Sequence, residues 1–211
     1  MHNFTYFAKV TNTKKIKFKI YVLALCCLIT SATAAQNADI DLLRHINHNR
    51  NTSLDPTFKT LTNSVFPTAV AVPVFLTTFH LIKKDSATKQ RAIIIGSTLL
   101  VSSAVTGLLK YSIQRKRPFV TYPDINHITP EDSYSFPSGH TSTAFALATS
   151  VTMAYPKWYV AAPAYLWASS AAYSRMHFGV HYPSDVIAGA LIGSGSAWLC
   201  YQLNKRLLQR K

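Results

Sequence analysis

Twelve residues near the end of the chain, Ser174 to Asp185, place acid–base side chains directly after a long apolar run. They read SRMHFGVHYPSD, and His181 and Asp185 are four residues apart. A carboxylate one helical turn from a histidine can hold one ring nitrogen as N–H, which leaves the lone pair of the other nitrogen free to attack phosphorus. The spacing predicts that His181 is a nucleophile, that Asp185 orients it, and that Arg175 is a nearby cation.

The same stretch permits a second interpretation, a metal site. His177 and His181 are also four residues apart, a spacing typical of zinc ligands, and Asp185 could be a third ligand. The sequence has no cysteine or second carboxylate nearby to complete such a site. Otherwise His177 is expected to be either an interfacial side chain or a residue that supports the site residues without contacting the ligand.

A second polar stretch, KYSIQRKRP, carries cations at the end of another apolar run. Lys110 and Arg117 are nearly two helical turns apart, so both can point the same way before Pro118 discourages further helix. The alternative is ordinary anchoring of a helix end at the membrane interface. Arg115 and Lys116 are expected to be anchors of that kind.

A third stretch, FPSGH, precedes an apolar helix whose first turn carries His140. A helix N-terminus offers unpaired N–H groups and the positive end of the helix dipole to an anion. Gly139 allows close approach of the backbone, and Ser138 adds a hydroxyl. A plain helix start capped by serine is the alternative.

The elements that must position these stretches are apolar helices. Apolar residues make up 48% of the 211 residues and charged residues 14%, against roughly 25% in soluble domains. Five runs of 16 to 19 residues lack acidic and basic side chains, which predicts an all-α integral membrane bundle of five core transmembrane helices; a buried helical core in a soluble protein is the alternative. The runs are Val65 to Ile82, Ala92 to Leu109, Thr141 to Pro156, Trp158 to Ser174 and Val186 to Asn204.

The basic residues that give the net charge of +14 do not form one patch, which argues against a nucleic-acid partner. Many lie in loops on one side of the five runs, as the positive-inside rule expects of the cytoplasmic face: Lys83, Lys84, Lys89, Arg91, Lys157, Lys205, Arg206, Arg210 and Lys211. The three polar stretches all fall on the external side. Cations clustered there favour an anionic ligand.

The N-terminal region is typical of a secretory signal, with basic residues, an apolar run from Ile20 to Thr30, and small residues at Ala32 and Ala34. We expect residues 1–35 to be a signal peptide or a first membrane helix, residues 36–62 an external amphipathic segment with a pair of surface helices, and residues 63–211 the membrane domain. The three cysteines, Cys26, Cys27 and Cys200, form neither a disulfide framework nor a metal-binding pattern.

Together, K-x6-RP, PSGH and SR-x5-H-x3-D resemble the type 2 phosphatidic acid phosphatase superfamily at every signature position, over roughly residues 60–204. The resemblance implies that His181 forms a phosphohistidine, that Asp185 orients it, and that His140 protonates the leaving oxygen and then activates water. It also implies that a set of cations and donors binds the phosphate oxygens without a metal or other cofactor: Lys110, Arg117, Ser138, Gly139 and Arg175.

The resemblance predicts the site but does not identify the substrate, because members of the superfamily with different functions share the same signature. With this hydropathy we expect a phosphatase of lipid phosphates or isoprenyl pyrophosphates at the external face of a bacterial inner membrane. The alternatives are a soluble secreted acid phosphatase, a vanadium haloperoxidase and a non-catalytic phospholipid-binding protein. The loop 119–136 is expected to cover the pocket. Its acidic residues, Asp124, Glu131 and Asp132, are expected to be solvated loop residues, and the alternative is that they repel highly charged ligands.

Overall fold

The computed structural model describes residues 37–129 and 131–208; the predicted signal peptide or first membrane helix lies outside them. Helix α1 spans 37–48, and its part from Leu42 onward belongs to the same compact unit as every later element. A 3₁₀ turn at Thr52–Leu54 leads into the remaining helices. These are α2 (Asp55–Asn63), α3 (Val65–Lys83), α4 (Ser86–Ile113), α5 (Pro118–Thr121), α6 (Gly139–Ala154), α7 (Trp158–His177) and α8 (Pro183–Leu208).

Each of the five predicted apolar runs forms one long helix, and the segment before them forms the helix pair α1 and α2. The largest difference from the predicted bounds is at α4, which begins at Ser86, six residues before the apolar run. Asp85 caps this end, because its carboxylate accepts hydrogen bonds from the backbone N–H groups of Ala87 and Thr88. The helix therefore starts among polar residues outside the hydrocarbon layer.

The outer surface of the bundle is apolar. Large hydrophobic side chains are exposed along α3, α4 and α8, among them Phe75, Leu100 and Leu191. Within the described residues three helical stretches are long and apolar enough to cross a membrane: Thr52–Lys83, Ser86–Thr121 and Pro183–Leu207. Exposed apolar surface of this extent suits lipid rather than water, and the chain is an all-helical, multi-pass membrane protein.

Helix α6 lies at the centre and packs against α3, α4, α7 and α8. Except for Leu147, its buried side chains are small or hydroxylic, which lets its neighbours approach closely. They are Thr141, Ser142, Thr143, Ala144, Ala146, Leu147, Ala148 and Ser150. Helix α6 therefore has neighbours on most sides, and its N-terminus is fixed relative to the ends of α4, α7 and α8.

The contact between α6 and α8 depends on glycine. A Cβ atom added at Gly193 would lie 2.3 Å from the carbonyl oxygen of Ser142 and 2.7 Å from the backbone nitrogen of Ala146. A Cβ at Gly189 would lie 2.7 Å from the carbonyl oxygen of Ser138. These distances are too short for a side chain, so both glycines are required where α8 crosses the α6 backbone.

Substituting alanine at Gly193 is expected to destabilise the protein by about 1–3 kcal/mol, because α8 must move away from α6. The measurement is the melting temperature in detergent. Gly195 is the matched control, since a Cβ there meets nothing within 4 Å and alanine favours helix. Equal melting temperatures for the two alanine variants would contradict this account of the α6–α8 contact.

Candidate active site

Three helix ends meet at one end of the bundle. The segment after α4 carries Arg117, the start of α6 carries Ser138 and His140, and the turn between α7 and α8 carries His181. The connection between α5 and α6 runs across this end, and its residues Ser133 and Ser135 hydrogen-bond to Arg117 and Asp185. The predicted site residues that come from distant parts of the sequence are therefore brought together here.

His181 and Asp185 are both buried, with relative exposures of 1% and 0%. His181 Nδ1 lies 3.5 Å from Asp185 Oδ2. The same carboxylate oxygen accepts hydrogen bonds from the Ser135 hydroxyl at 2.5 Å and from the Tyr182 N–H at 3.0 Å. Asp185 is thus held rigidly beside Nδ1, and the other ring nitrogen, Nε2, points the opposite way.

Arg117 lies on the Nε2 side of His181. Its Nη1 donates to the carbonyl oxygen of Val180 at 2.9 Å and is 3.3 Å from His181 Nε2. Its Nε donates to the Ser133 carbonyl oxygen at 2.7 Å, and its Nη2 to a carboxylate oxygen of Glu131 at 3.0 Å. A fixed guanidinium therefore stands next to the ring nitrogen that would attack an electrophile.

Arg175 completes this pair of buried cations, with a relative exposure of 1%. Its Nη1 donates to the hydroxyl of Thr62 on α2 at 3.0 Å, and its Nη2 donates to the second oxygen of Glu131. Its Nε is buried without a hydrogen-bond partner among the described residues. Arg175 thus has donor capacity that the described contacts do not use.

The start of α6 contributes hydroxyl and backbone donors. Ser138 is the N-cap, and its Oγ accepts from the hydroxyl of Thr141 at 2.9 Å and from the backbone N–H of Thr141 at 3.4 Å. The helix cap and the anion site predicted for this stretch are therefore compatible. The hydroxyl oxygen of Ser138 caps the helix, while its hydroxyl proton remains available to donate to an anion.

Lys110 and His140 lie on either side of this helix start. A Cβ at Gly139 would be 3.9 Å from Lys110 Cε, and the ammonium group of Lys110 donates to the carbonyl oxygen of Tyr134. The His140 ring packs edge-on against Phe66, with the ring centroids 4.7 Å apart. All the predicted site residues therefore lie at the same end of the bundle.

His177 faces away from this group. Its Nε2 lies 2.6 Å from the Asp55 carboxylate on α2, and its ring packs against Phe58 with the centroids 4.8 Å apart. The expectation that it is interfacial is wrong, because α2 covers it and leaves it 1% exposed. Nor does it converge with His181 and Asp185 as the zinc interpretation required, and among residues 37–129 and 131–208 no three His, Cys, Asp or Glu side chains are grouped to hold a metal.

Sequence reasoning missed several partners of the site. Arg115, expected to be an interfacial anchor, donates from Nη1 to Asp185 Oδ1 at 2.7 Å and lies over the ring of Tyr182. Glu131, expected to be solvated, bridges Arg117 and Arg175, and Asp124 pairs with Arg44. The position of Arg115 within the Lys110–Arg117 stretch was the one signal in the sequence that could have indicated its role.

Burial lowers the pKa of His181 from 6.5 to about 4, with Arg117 adding to the effect and the hydrogen bond to Asp185 opposing it. The ring is therefore neutral at pH 7. We expect imidazole ¹⁵N NMR to give a titration midpoint near pH 4 for the resonance that is missing from a His181→Gln spectrum. A midpoint near 6.5 would contradict this.

The same shift has a defined effect on stability. Above pH 6.5 the histidine is neutral in both the folded and the unfolded chain, and its contribution to stability is fully present. As the pH falls from 6.5 towards 4, the unfolded chain takes up a proton that the folded chain does not, so stability decreases with acidification.

Comparison with known proteins identifies the family of the chain. Residues 91–209, more than half of the chain, match the model of the PAP2 superfamily. The chain belongs to that superfamily. It also resembles the crystal structure of LpxE from Aquifex aeolicus, with a TM-score of 0.70 and 28% identity over 78% of this chain and 95% of that one.

Two curated relatives carry names that refer to lipid substrates. A lipid A 4'-phosphatase of Bacteroides thetaiotaomicron is 36% identical over 36% of this chain and 34% of its own length. An undecaprenyl-diphosphatase of Sulfolobus acidocaldarius is 34% identical over 52% of this chain and 55% of its own length. The match thus spans about a third to a half of these relatives.

Proposed function

We propose that the protein is a metal-independent phosphatase that hydrolyses a lipid phosphate or isoprenyl pyrophosphate through a phosphohistidine intermediate. The observation that carries the proposal is the placement of His181: Asp185 lies beside one ring nitrogen, and Arg117 lies 3.3 Å from the other. A neutral imidazole held in this way presents its lone pair beside a cation that can bind a phosphoryl oxygen.

In the first step Nε2 of His181 attacks phosphorus, and the bond from phosphorus to the leaving oxygen breaks. Asp185 holds the Nδ1 proton and stabilises the positive charge that develops on the ring. His140, protonated when the negatively charged phosphate binds beside it, donates this proton to the leaving oxygen, so the alcohol or phosphate departs in a protonated form.

In the second step a water molecule attacks the phosphohistidine. His140, now neutral, takes a proton from the water, the P–N bond breaks, and orthophosphate and the starting form of His181 result. In both steps the phosphoryl oxygens are neutralised by the side chains of Lys110, Arg117 and Arg175 and by hydrogen bonds from Ser138 Oγ and the Gly139 N–H.

The position of the site favours a lipid substrate. Its residues lie at the ends of apolar, lipid-facing helices, so a lipid can place its phosphate among the cations while its hydrocarbon stays in the bilayer. The names of the lipid A and undecaprenyl relatives support both terminal phosphates and pyrophosphates as candidates.

The site is proposed to face the periplasm or cell exterior of a bacterial inner membrane. Because the long helices alternate in direction, the turns after α3 and α6 and the end of α8 lie at the end opposite to the site. These turns carry basic residues, including Lys84, Lys157 and Lys205, and the positive-inside rule places such loops in the cytoplasm.

The test is phosphate release by the full-length protein in detergent with excess EDTA, from phosphatidic acid, phosphatidylglycerol phosphate, lipid A and undecaprenyl pyrophosphate. We expect metal-independent release from at least one of them and, in rapid-quench experiments with ³²P-labelled substrate, a labelled protein that is labile to acid and stable to base. Loss of activity in EDTA, or binding without turnover, would overturn the proposal; activation of halide oxidation by vanadate would favour a haloperoxidase.

A further inference from the structure

Glu131 bridges the two buried arginines of the site. One oxygen of its carboxylate accepts from Arg117 Nη2 at 3.0 Å, and the other accepts from Arg175 Nη2. The arginine side chains are 3% and 2% exposed, and that of Glu131 is 19% exposed. These are the donors to which the proposed function assigns phosphoryl oxygens, so Glu131 holds the position of a two-oxygen anion in the site.

An anion in this position has a clear physical basis. Two guanidinium groups removed from water and placed near each other strongly destabilise a fold unless a negative charge accompanies them. Burial alone opposes ionisation of Glu131, but Arg175 and Arg117 outweigh it and hold the pKa of the carboxyl below its ordinary value. Glu131 is therefore charged at neutral pH.

A carboxylate nevertheless fits the site less completely than a phosphate would. Glu131 supplies two oxygens, and the buried Nε of Arg175 has no acceptor among the described residues. A phosphoryl group has a third oxygen for such a donor and carries more negative charge. It would also reach the donors at the start of α6, to which no described hydrogen bond joins Glu131.

We propose that Glu131 is the resident counter-ion of the phosphate site and that the phosphate of the substrate displaces it from Arg117 and Arg175. This inference rests on the proposed function for the identity of the ligand. An internal anion that must leave before a ligand binds raises the apparent dissociation constant of every ligand that uses the same donors. It also returns to the arginines as orthophosphate departs, so it favours release of the product.

The position of Glu131 permits such an exchange. It lies in the connection between α5 and α6 rather than in a helix, and its carboxylate contacts the arginines through a side chain that can rotate away. Ser133, two residues later, keeps its own hydrogen bonds to Arg117 through its carbonyl and hydroxyl oxygens. Rotation of one side chain therefore frees the donors without unfolding the connection.

The test measures orthophosphate binding by calorimetry in wild-type protein, Glu131→Gln and Asp132→Asn, all full-length and in detergent. Asp132 is the matched control, because it is the next residue, carries the same charge and is exposed. We expect Glu131→Gln to lower the dissociation constant of orthophosphate by about tenfold, and Asp132→Asn to change it by less than about twofold.

Thermal stability gives a second readout. Without phosphate, Glu131→Gln is expected to melt below wild type, because the arginines lose their counter-ion, and saturating orthophosphate should raise its melting temperature by more than that of wild type. If Glu131→Gln does not fold, Glu131→Asp replaces it, since the shorter side chain keeps the charge but cannot reach both arginines. Its dissociation constant should fall in the same direction by a smaller factor.

Two results would overturn the inference, and a third would separate it from the proposed function. Unchanged or weaker orthophosphate binding in the Glu131 variants would mean that the carboxylate stays in place and helps to build the site. Equal tightening in Asp132→Asn would mean general repulsion rather than exchange. Tighter binding confined to Glu131→Gln, in a protein that hydrolyses none of the lipids tested, would support the exchange while contradicting the proposed function.

Discussion

Replacing His181 by glutamine is expected to lower kcat for lipid phosphate hydrolysis by at least about 10⁴-fold, because glutamine has no nucleophilic ring nitrogen to form the covalent intermediate. Glutamine has a similar volume and retains a polar group near Arg117, so the site should keep its shape. The measurement is kcat with the preferred lipid, together with rapid-quench detection of the labelled intermediate, which should disappear.

His177→Gln is the matched control, since His177 is equally buried and only four residues away but faces Asp55 on α2. We expect it to lower the melting temperature while kcat stays within about tenfold of wild type. The nucleophile assignment would be wrong if His181→Gln kept more than about a hundredth of the wild-type kcat, or if the labelled intermediate persisted in that variant.

Much of the fold could be predicted from the apolar runs of the sequence, which are long and lack acidic and basic residues. In lipid, the backbone N–H and C=O groups of such a run must hydrogen-bond to each other, which requires a helix. Each of the five runs forms a helix. The ends were less predictable because local hydrogen bonds decide them: Asp85 extends α4 well before its apolar part. The central position of α6 is explained by its small side chains and by Gly189 and Gly193 on α8, a packing pattern that hydropathy does not reveal.

The candidate site residues could be proposed from the sequence because their chemistry and spacing are local. His181 and Asp185 are four residues apart, and Ser138, Gly139 and His140 are consecutive. Their partners were not predictable, since these come from distant parts of the chain. Glu131 is 44 residues from Arg175, and Thr62 is 113 residues from it. A carboxylate in a polar loop has no periodicity, and only the folded structure places it between two arginines.

Helix α2 illustrates the same limit. The sequence predicts surface helices for the segment before α3, but not that Asp55 and Thr62 would contact His177 and Arg175. These contacts connect α2 to the last turn of α7, so a helix at the edge of the fold helps to fix a cation of the site.

Asp185→Asn is expected to lower kcat by about 10³- to 10⁴-fold, the scale seen when the buried carboxylate that orients a catalytic histidine is removed. Asp185 accepts hydrogen bonds from Ser135, from the Tyr182 N–H and from Arg115. An asparagine side chain has only one acceptor oxygen, so its amino group must face a donor. The negative charge that would stabilise the phosphorylated imidazole ring is lost as well.

This loss should appear in kcat rather than in binding. The phosphate-binding cations remain in Asp185→Asn, so the dissociation constant of orthophosphate should stay within about threefold of wild type. Ser184→Ala is the control, because Ser184 is the neighbouring residue and accepts from the same nitrogen of Arg115 at 2.7 Å; its kcat should change by less than about threefold. If Asp185→Asn lost orthophosphate binding as completely as activity, Asp185 would be maintaining the fold of the site instead of orienting His181.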